Sequence, residues 1–584
     1  IMILGFSAIK NLPISQFPNL TPPPVVVTAS YPGADAETIA NNILTPLESQ
    51  ISGTDGLMYM VGKASASSGT ASITCTFNIG VNQDLAAVDV QNRINSVLAQ
   101  LPQTTRDLGV TVEKRTSDIL LIVSVTSPDG SYNDTQISNY ILTNMLDEIK
   151  KIPGAGRSQI FGRKDYAIRV WTDPDKMAKL GVTAADVSLA VKDQNIQVAP
   201  GRIGQAPTDK SQMWTMQLNS KGRFSTPAEF ENIIIRSNPD GSAIRLKDVA
   251  RVELGSQNYE YFSRVNGNPA AVIGIFADTN ANALDTAEAV YKKMGELSKK
   301  FPPGIEYKIP YDTTQFIKIS IKEVVKTLIE AIVLVSLVIY LFLQSWRAAL
   351  IPILSVPVSL TGAFIGMYVL GYSINTLTLF GLVLAIGIVV DDAIVVIENM
   401  ERILQTEKLK PREAALKAMM QVSGPVVAIV LVMCAVFIPA TFIGGMTGQL
   451  YKQFAATIAI SVVFSGFMAI SFAPAIGALI LRAHEAEPAR FFRWFNAKFQ
   501  KMTDNYVARS GWMIRKSTLV FLLYISTYGF IYFFHKTLPT AFVPMEDQGY
   551  FITSINLPDG ATTNRTSEVV KEVENILKNE PSVY

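Results

Sequence analysis

The sequence predicts an α+β membrane protein, in which a bundle of transmembrane α-helices is joined to a large domain outside the membrane. Of its 584 residues, 48% are hydrophobic and only 17% are charged, whereas a typical soluble protein has roughly 25% charged residues. The charges occur every few positions from about residue 10 to 326 and nearly vanish afterwards. The charged part alternates short β-branched segments with amphipathic ones, which indicates mixed strands and helices.

Six uncharged runs are long enough to span a bilayer, since a spanning helix needs about 20 mostly apolar residues. They lie at roughly 324–343, 348–370, 374–397, 422–443, 453–481 and 517–536. Residues 1–9 are also apolar, and we expect them to be the end of a further spanning helix whose start precedes the sequence. The alternative is a cleaved signal peptide, but no basic segment and no small-x-small cleavage site are present.

The basic loops predict the orientation, because Lys and Arg are enriched on the cytoplasmic side of membrane proteins. Loops 344–347, 398–421 and 482–516 are basic and alternate with nearly uncharged ones. We therefore expect these three loops to face the cytoplasm, with 482–516 as an amphipathic segment there. The preceding charged segment and the C-terminal tail then lie on the opposite side.

The external segment reads as strand–helix–strand units of the split βαβ (ferredoxin-like) kind. The predicted strands are Val25–Ser30, Leu57–Val61, Ile73–Phe77, Ile119–Thr126, Ser158–Phe161 and Ala167–Trp171, and the predicted helices are Ala34–Ile51, Leu85–Gln100 and Asn133–Lys151. Between about 172 and 255 this pattern loosens, and Gly201–Ser225 is predicted to be a long extended hairpin or arm.

An internal repeat links the two ends of the sequence. The first copy consists of Phe17-Pro18, a strand, Tyr31-Pro-Gly-Ala34 and a helix. The same order returns about 525 residues later as Phe542-Val-Pro544, a predicted strand Tyr550–Asn556, Pro558-Asp-Gly-Ala561 and a predicted helix Ser567–Lys578. We expect the chain to end just inside a second copy of itself. Duplicated helical bundles are common among transporters.

Composition excludes several functional classes. The net charge of +2 does not point to nucleic acid, and the two cysteines and two histidines are too few for a disulfide scaffold or a histidine-rich metal site. The sequence contains no Walker spacing, no G-x-S-x-G and no H-E-x-x-H. We therefore predict a protein that is not an enzyme, with no catalytic, cofactor-binding or metal-binding residues.

Asp391 and Asp392 are the candidate functional residues, since they lie inside a predicted span that is otherwise uncharged up to Glu398. Ionised carboxylates inside a membrane are costly, and two adjacent ones repel each other, so the pair is suited to bind and release a proton. Gly387 is one turn earlier on the same helix face and would allow another helix to approach closely. The alternative is an ion pair used only for assembly. No predicted span supplies a cation at matching depth, so its partner would lie elsewhere.

The run Ser373–Arg402, which contains GLVLAIGIVVDDAIVVIENMER, closely resembles the fourth transmembrane helix of resistance–nodulation–division (RND) multidrug efflux pumps of the AcrB, or hydrophobe/amphiphile efflux, type. Further resemblances are Tyr31-Pro-Gly-Ala-Asp-Ala36, Gln194-Asn-Ile-Gln-Val-Ala199, Pro310-Tyr-Asp-Thr-Thr314, Val324-Val-Lys-Thr-Leu328 and Asp547-Gln-Gly549. The resemblance covers essentially the whole sequence, and family members are about twice as long. It implies an N-terminal portion of such a pump.

The resemblance implies a multi-pass protein of the bacterial inner membrane that exchanges protons for amphiphilic drugs across the Gram-negative envelope, with protons as the coupling ion and no cofactor. It also implies a homotrimer with its large domain in the periplasm. The partners would be membrane lipid, a periplasmic membrane-fusion adaptor and an outer-membrane channel, but no nucleic acid. Asp391 and Asp392 match the family's proton-relay acids, whose Lys, Arg and Thr partners lie in the second half of such pumps.

The same resemblance implies a division of the chain. The end of the first spanning helix (1–9) is followed by porter subdomains (10–165), a docking subdomain (166–255) with a trimerisation arm at 204–225, and a return through the porter subdomains (256–322). Transmembrane helices 2–6 (323–481) and the cytoplasmic segment (482–516) come next. The chain then continues through transmembrane helix 7 (517–539) into the start of a second porter region (540–584).

The family's deep drug pocket would include Gln159, Phe161, Tyr261 and Tyr311. Ile119 stands where related pumps often carry Phe, and Ile122 where they carry another aliphatic residue. Because Ile119 lacks the aromatic ring of that Phe, aromatic stacking with a ligand would be weaker. Each of these residues could equally be part of an ordinary hydrophobic core.

Two alternatives remain at the level of function. A heavy-metal exporter of the same superfamily usually has one acid followed by Ala at the position of Asp391-Asp392, together with Met pairs in the pocket. A receptor-type protein on the same scaffold would bind ligand without proton flux.

Overall fold

The computed structural model describes residues 1–18, 22–66, 68–115, 119–207, 213–237, 239, 241–259, 261–278, 281–482, 490–538, 547–558 and 560–582. The helices within these ranges are α1 (Met2–Asn11), α2 (Ala36–Ile39), α3 (Thr45–Ile51), α4 (Gln83–Val97), α5 (Gln103–Leu108), α6 (Asp134–Asn144), α7 (Leu146–Lys150), α8 (Pro174–Leu180), α9 (Ala184–Gln194), α10 (Pro227–Glu231), α11 (Leu246–Val249), α12 (Ala283–Ser298), α13 (Thr313–Leu343), α14 (Trp346–Val369), α15 (Thr376–Glu407), α16 (Pro411–Phe437), α17 (Gly445–Ile480), α18 (Arg490–Arg515), α19 (Ser517–Thr537) and α20 (Thr563–Lys578).

The strands are β1 (Pro24–Ser30), β2 (Leu57–Ser65), β3 (Thr70–Phe77), β4 (Val110–Lys114), β5 (Ile119–Thr126), β6 (Gln159–Phe161), β7 (Tyr166–Thr172), β8 (Arg202–Ile203), β9 (Met216–Gln217), β10 (Ile234–Ser237), β11 (Ala243–Arg245), β12 (Ala250–Ser256), β13 (Ser263–Val265), β14 (Asn268–Phe276) and β15 (Glu306–Asp312). A π-helical segment, Ala40–Leu44, joins α2 to α3, and 3-10 segments extend α4 and α16. The chain divides into two compact units, the first with 1–118, 277–288 and 312–584 and the second with 119–276 and 289–311.

The first unit contains an antiparallel sheet of order β2-β3-β1-β4. Alternate residues of its strands, such as Val25, Val27 and Ile73, are buried against α3 and α4, as expected for a sheet with one covered face. The hairpin predicted between 57 and 77 is confirmed, and its strands are longer than the sequence pattern indicated.

The first unit also contains six helices that are long and apolar enough to cross a membrane, which confirms the predicted six spans among the described residues: α13, α14, α15, α16 with its 3-10 extension, α17 and α19. Several helices extend beyond the predicted apolar runs, because intrahelical hydrogen bonds continue through residues that are too polar for the bilayer. For example, α13 begins at Thr313, where the Asp312 carboxylate accepts a hydrogen bond from the Thr314 amide.

Three of these helices pack closely around α17, and small residues make the contacts possible. A Cβ at Gly362 of α14 would lie 2.6 Å from the Phe464 ring, and one at Gly366 would lie 2.7 Å from Ile460. At the start of α15, a Cβ at Gly381 would lie 3.2 Å from the Phe454 carbonyl oxygen. The absence of side chains at these positions therefore allows the close contact of α14 and α15 with α17.

Residues 1–9 are helical, as predicted, and α1 packs on α14. The segment after α1 is joined to the start of α15 by main-chain hydrogen bonds. The Ser15 amide donates to the Ile374 carbonyl oxygen (3.1 Å), the Ile374 amide to that of Pro13 (2.9 Å) and the Thr376 amide to that of Gln16 (3.3 Å). Ile14 and Ile374 form a parallel bridge.

The second unit is built on a sheet of order β13-β14-β5-β15, in which β6 also pairs with β14. Leu121, Val123, Ile273 and Ile275 on one face are fully buried, as are Ile141 of α6 and Met294 of α12. The same unit contains the β7–β12 ribbon and the small β10–β11 and β8–β9 hairpins. The last of these pairs only two residues from each side of the long extended hairpin predicted over 201–225, of which 208–212 lie outside the described residues.

The structure corrects two predictions. Residues 550–556 are not in a strand, because no described strand lies beside them to accept and donate the main-chain hydrogen bonds that a strand requires. The helix predicted over 133–151 is two helices, since Met145, which is buried, has φ −122° between α6 and α7. The helix predicted at 567–578 is confirmed as α20, whereas Phe542-Val543-Pro544 lie outside the described residues.

Candidate functional site

The two aspartates lie in the middle of α15 but face different surroundings. Successive residues of an α-helix point about 100° apart, so the two adjacent carboxylates point in different directions. Asp392 is only 2% exposed and faces α17. Asp391 is on the exposed side with Leu384 and Gly387, and a Cβ at Gly387 would meet nothing within 4 Å.

Ser465 of α17 is the hydrogen-bonding partner of Asp392. Its Oγ lies 2.8 Å from Asp392 Oδ2 and 2.7 Å from the Val389 carbonyl oxygen. A hydroxyl has one proton to donate but can also accept. Ser465 can therefore donate to an ionised Asp392, or accept a hydrogen bond from a protonated Asp392 while it donates to Val389. Asp392 can therefore keep Ser465 as its hydrogen-bond partner in both protonation states.

Ser465 is the last of four polar residues spaced by four along α17, on the side that contacts α15. Gln453 Oε1 accepts a hydrogen bond from Asn375 Nδ2 (2.8 Å), and the hydroxyls of Thr457 and Ser461 donate to carbonyl oxygens of their own helix, four residues earlier. Thr457, Ser461 and Ser465 are buried. These short side chains allow close packing while their hydroxyl groups stay hydrogen-bonded.

Neither aspartate forms an ion pair with any residue in the described ranges. The residues brought together around Asp392 are a serine and apolar side chains, among them Val389, Ala393 and Val396, which are buried beside it on α15. The exposed side of α15 at Asp391 is bordered by Leu384 and Glu398, both of which are also exposed.

Four of the six predicted pocket residues lie together on one face of the second unit's sheet. Gly274 of β14 pairs with Ile122 on one side and with Gln159 on the other, and Phe276 pairs with Ile119 after a bulge. Residues that pair directly across strands share a face. This face is the one opposite the buried side chains that contact the helices.

Phe161 on this face lies over the backbone of Gly274. A Cβ at Gly274 would lie 2.4 Å from the Phe161 Cζ, so a larger residue there would displace the ring. Phe161 also packs edge to face on Phe276, with ring centroids 6.2 Å apart. The result is an aromatic pair that is held in a defined orientation and remains partly exposed.

The two tyrosines are placed differently. Tyr261 is half-exposed and lies against Gly162, where a Cβ would be 3.0 Å from the Tyr261 Cβ. Tyr311 is near the end of β15, on the far side of β5 from β14. All six predicted residues therefore belong to one sheet or its edges, and the structure groups Ile119, Ile122, Gln159 and Phe161 most closely.

The sequence interpretation missed three residues of these sites. Ser465 could have been found from the spacing of Gln453, Thr457 and Ser461, since polar residues four apart in a spanning segment mark one helix face. Gly274 stands alone in a β-branched run, which is a signal for close approach of another group. Phe276 has no local signal, because its role depends on pairing with Ile119 in a distant strand.

The chain matches the AcrB/AcrD/AcrF family over residues 1–584. It is 44% identical over 586 residues to the multidrug export protein AcrF of Escherichia coli (strain K12), a match that covers 99% of this chain and 56% of AcrF. It is 43% identical over 578 residues to the multidrug resistance protein MdtF of the same strain, with 98% and 55% covered. It is 42% identical over 587 residues to the toluene efflux pump membrane transporter TtgB of Pseudomonas putida, with 99% and 56% covered.

The chain thus spans a little more than half the length of these relatives. Three observations support the same assignment: the family match over the whole chain, the six apolar helices and the paired aspartates. The chain therefore belongs to the AcrB/AcrD/AcrF family of RND-type multidrug efflux transporters.

Proposed function

We propose that this chain is part of a proton-driven exporter of drugs and other amphiphilic compounds. The observation that carries the proposal is Asp392, a buried carboxylate in the middle of a membrane-spanning helix, held by Ser465 and adjacent to the exposed Asp391. The relatives that support it are named for multidrug, antibiotic and solvent efflux, which favours drugs over heavy metals as substrates.

The proton step uses the two-way hydrogen bonding of Ser465. An ionised Asp392 accepts from Ser465, and a protonated Asp392 donates to it, so the hydrogen bond between these two side chains can persist while the proton is exchanged. One charge that moves through 100 mV releases about 2.3 kcal/mol. That energy is available to drive a change in helix packing when the pair is reprotonated from the other side.

Asp391 requires a different environment. Its side of α15 is open in this chain, and Gly387 leaves room there for another helix. The relatives' additional length is sufficient to supply such a helix. We infer that a cation on it pairs with Asp391 in one protonation state and is released in the other, in line with the Lys and Arg partners that the family resemblance implies.

The substrate would bind on the open face of the second unit's sheet, beside Phe161, Phe276, Ile122 and Gln159. An edge-to-face aromatic pair with neighbouring aliphatic residues suits amphiphilic ligands that contain rings, and Gln159 offers hydrogen bonds. Ile119 replaces an aromatic residue common in related pumps. We therefore expect weaker binding of planar aromatic drugs than in pumps with Phe at this position.

We also propose a division of the chain into subdomains and the partners of the pump. Residues 10–165 and 256–322 would form split βαβ porter subdomains in the periplasm, and 166–255 the docking subdomain with its arm at 204–225. The pump would be a homotrimer in the inner membrane that works with a periplasmic adaptor and an outer-membrane channel. Protons would be the coupling ion, and no catalytic or cofactor chemistry would be involved.

The test compares Asp391→Asn and Asp392→Asn with Glu330→Gln in a pump of the relatives' full length that contains these residues. Glu330 is an exposed acid on α13, also within a spanning helix, and is therefore a matched control. We expect both Asn variants to lose drug-dependent proton flux in proteoliposomes and drug resistance in cells, at normal expression, while Glu330→Gln retains both. Normal flux in either Asn variant would overturn the proposed proton relay.

A further inference from the structure

The helix α18 is unlike the six candidate spans. It has 26 residues and contains six Lys or Arg residues, one acid (Asp504), four Phe and two Trp. It is too charged to cross a membrane and too aromatic for a helix exposed only to water. None of its residues is buried in the structure.

Aromatic contacts attach one side of α18 to the end of α13. The Phe492 ring packs edge to face on Tyr340 at 5.9 Å, and Phe495 and Phe499 pack on Phe342 at 5.6 and 5.4 Å. The side-chain amides of Asn496 and Gln344 donate hydrogen bonds to each other's oxygens, at 3.2 and 2.5 Å.

These contacts define the level of α18 relative to the membrane. Gln344 is the residue at which α13 ends. The next helix begins at Trp346, which is 62% exposed, and Arg347 follows it with its guanidinium 5.6 Å from the Trp346 ring. Exposed Trp beside Arg is typical of the boundary between acyl chains and headgroups. α18 is therefore held at this boundary, at the end where the basic loops lie.

The side of α18 turned away from α13 is basic and rich in tryptophan. With successive residues about 100° apart, four of the helix's six cations and both tryptophans fall within one third of the helix circumference, opposite Phe492 and Asn496. They form what we call the basic–tryptophan face: Arg490, Trp494, Lys498, Lys501, Arg509 and Trp512. Trp494 and Trp512 are 18 residues, or five turns, apart and therefore point in the same direction. All six side chains are exposed.

The four cations on this face have no carboxylate partner among the described residues, and Asp504 lies on another side of the helix, where it accepts from Gln500. Next to this face, Phe491, Met502 and Tyr506 are 57%, 60% and 71% exposed. An apolar strip beside a row of cations and tryptophans matches the layers of a leaflet, in which acyl chains meet anionic headgroups.

We propose that the basic–tryptophan face of α18 binds anionic phospholipid in the cytoplasmic leaflet. Phe491, Met502 and Tyr506 insert among the acyl chains, the two Trp rings lie at the glycerol level, and Lys498, Lys501 and Arg509 bind the lipid phosphates. This inference rests on the membrane topology of the proposed function but not on drug export or proton coupling.

The first experiment measures lipid retained by the purified protein in detergent, by native mass spectrometry with added dioleoylphosphatidylglycerol or dioleoylphosphatidylcholine. The variant is Lys498→Gln/Lys501→Gln/Arg509→Gln. The matched control is Lys408→Gln/Lys410→Gln/Arg412→Gln, which removes three exposed cations between the end of α15 and the first turn of α16, on the same predicted side of the membrane.

We expect phosphatidylglycerol to bind more tightly than phosphatidylcholine and to lose affinity by about fivefold for each α18 cation removed, since each contributes about 1 kcal/mol near an anionic surface. The preference for phosphatidylglycerol over phosphatidylcholine should decrease as the salt concentration is raised. The control variant should retain this preference. Equal affinity for the two lipids, or an equal loss in the control variant, would overturn the proposal.

A second measurement does not depend on the Lys and Arg variants. Brominated phosphatidylglycerol in mixed vesicles should quench the protein's tryptophan fluorescence more than brominated phosphatidylcholine does. The difference should disappear in Trp494→Phe/Trp512→Phe. A difference that persists in this variant would place the lipid site elsewhere. Because neither assay uses drug or a proton gradient, failure of the export proposal and failure of this one are separable.

Discussion

Within this chain, the spanning helices α14, α15 and α17 form the interior of the bundle, whereas α13, α16 and α19 lie at its periphery. The mean hydropathies of the two groups overlap, at 2.0, 2.5 and 2.0 for the inner helices and 2.3, 2.5 and 1.6 for the outer ones. The buried fractions of the two groups do not overlap, since 56–61% of each inner apolar stretch is buried and 11% or less of each outer one. Mean hydropathy therefore predicts that a helix can enter the membrane, but it does not predict how much of that helix is buried against other helices.

Polar side chains separate the two groups more sharply. The buried hydroxyl and carboxyl groups within the apolar stretches, including Ser359, Thr457, Ser465 and Asp392, are on the inner helices. A hydroxyl group that faces lipid has only its own helix to bond with, whereas one between helices can bind a second helix or a carboxylate. Among the described residues, the buried carboxylate and its hydrogen-bond partner accordingly lie at the contact between α15 and α17.

The largest effect that would test this comparison comes from glycine replacement. Gly362→Val/Gly366→Val should prevent α14 from packing on α17, because the added Cβ atoms would lie 2.6 and 2.7 Å from Phe464 and Ile460. Overpacking costs roughly 1–3 kcal/mol at each site. Thermal unfolding in detergent should show a much lower Tm. Gly529→Val in α19, where nothing lies within 4 Å, is the control and should leave the Tm within a degree or two.

A leucine pair gives the next largest difference. Leu382→Ala on α15 removes a side chain that is 1% exposed, whereas Leu431→Ala on α16 removes one that is 63% exposed. A buried cavity costs about 2–5 kcal/mol, so Leu382→Ala should lower the unfolding midpoint markedly. Similar midpoints for the two variants would show that α16 is as closely packed as α15 and would contradict the comparison.

Ser465→Ala tests the polar contact itself. Asp392 would lose its described hydrogen-bond donor, and a bond to a charged group is worth about 1.5–3 kcal/mol. We expect drug-dependent proton flux in proteoliposomes to fall by about tenfold or more, with a fall in the unfolding midpoint no larger than that of Leu382→Ala. Ser471→Ala is the control, because the Ser471 hydroxyl donates to the Phe467 carbonyl oxygen of its own helix on the exposed side of α17. Equal flux in the two variants would exclude a role for Ser465.

The smallest effect concerns the two thiols, which extend the comparison beyond the membrane. Burial raises the pKa of Cys75, in the sheet of the first unit, to about 11 from 9.0. Below pH 10 the reactive thiolate is therefore scarce, and alkylation by N-ethylmaleimide should be slow and should accelerate with each pH unit towards about 11. Cys434 on the outer helix α16 is only half-buried, and a lipid-soluble maleimide should modify it first. Peptide mapping by mass spectrometry identifies the labelled residue.

Much of this architecture could be predicted because it depends on local pattern. The six spans follow from uncharged runs, and the β2–β3 hairpin follows from period-two alternation. Asp391 and Asp392 were evident because a charge in such a run is costly. The inner and outer helices could not be distinguished. The spacing of Gln453, Thr457 and Ser461 marks the polar face of α17, but the pairing of Ser465 with Asp392 could not be predicted, since the two residues are 73 positions apart. Residues 550–556 show the converse, because strand composition does not produce a strand without a neighbouring strand.

The main-chain bridge between residues 13–16 and 374–376 has a consequence for sequence tolerance. Three of the hydrogen bonds that tie the start of α15 to the segment after α1 join peptide groups, which every residue except proline supplies in full. Saturation mutagenesis should therefore reject proline, whose ring removes the donated N–H, at Ser15, Ile374 and Thr376. Other residues keep these main-chain bonds, but Ile374, which is only 6% exposed, should accept only apolar side chains. The helix that carries the aspartates is thus tied to the segment leading to β1 by a connection that can be preserved while the side chains around it diverge.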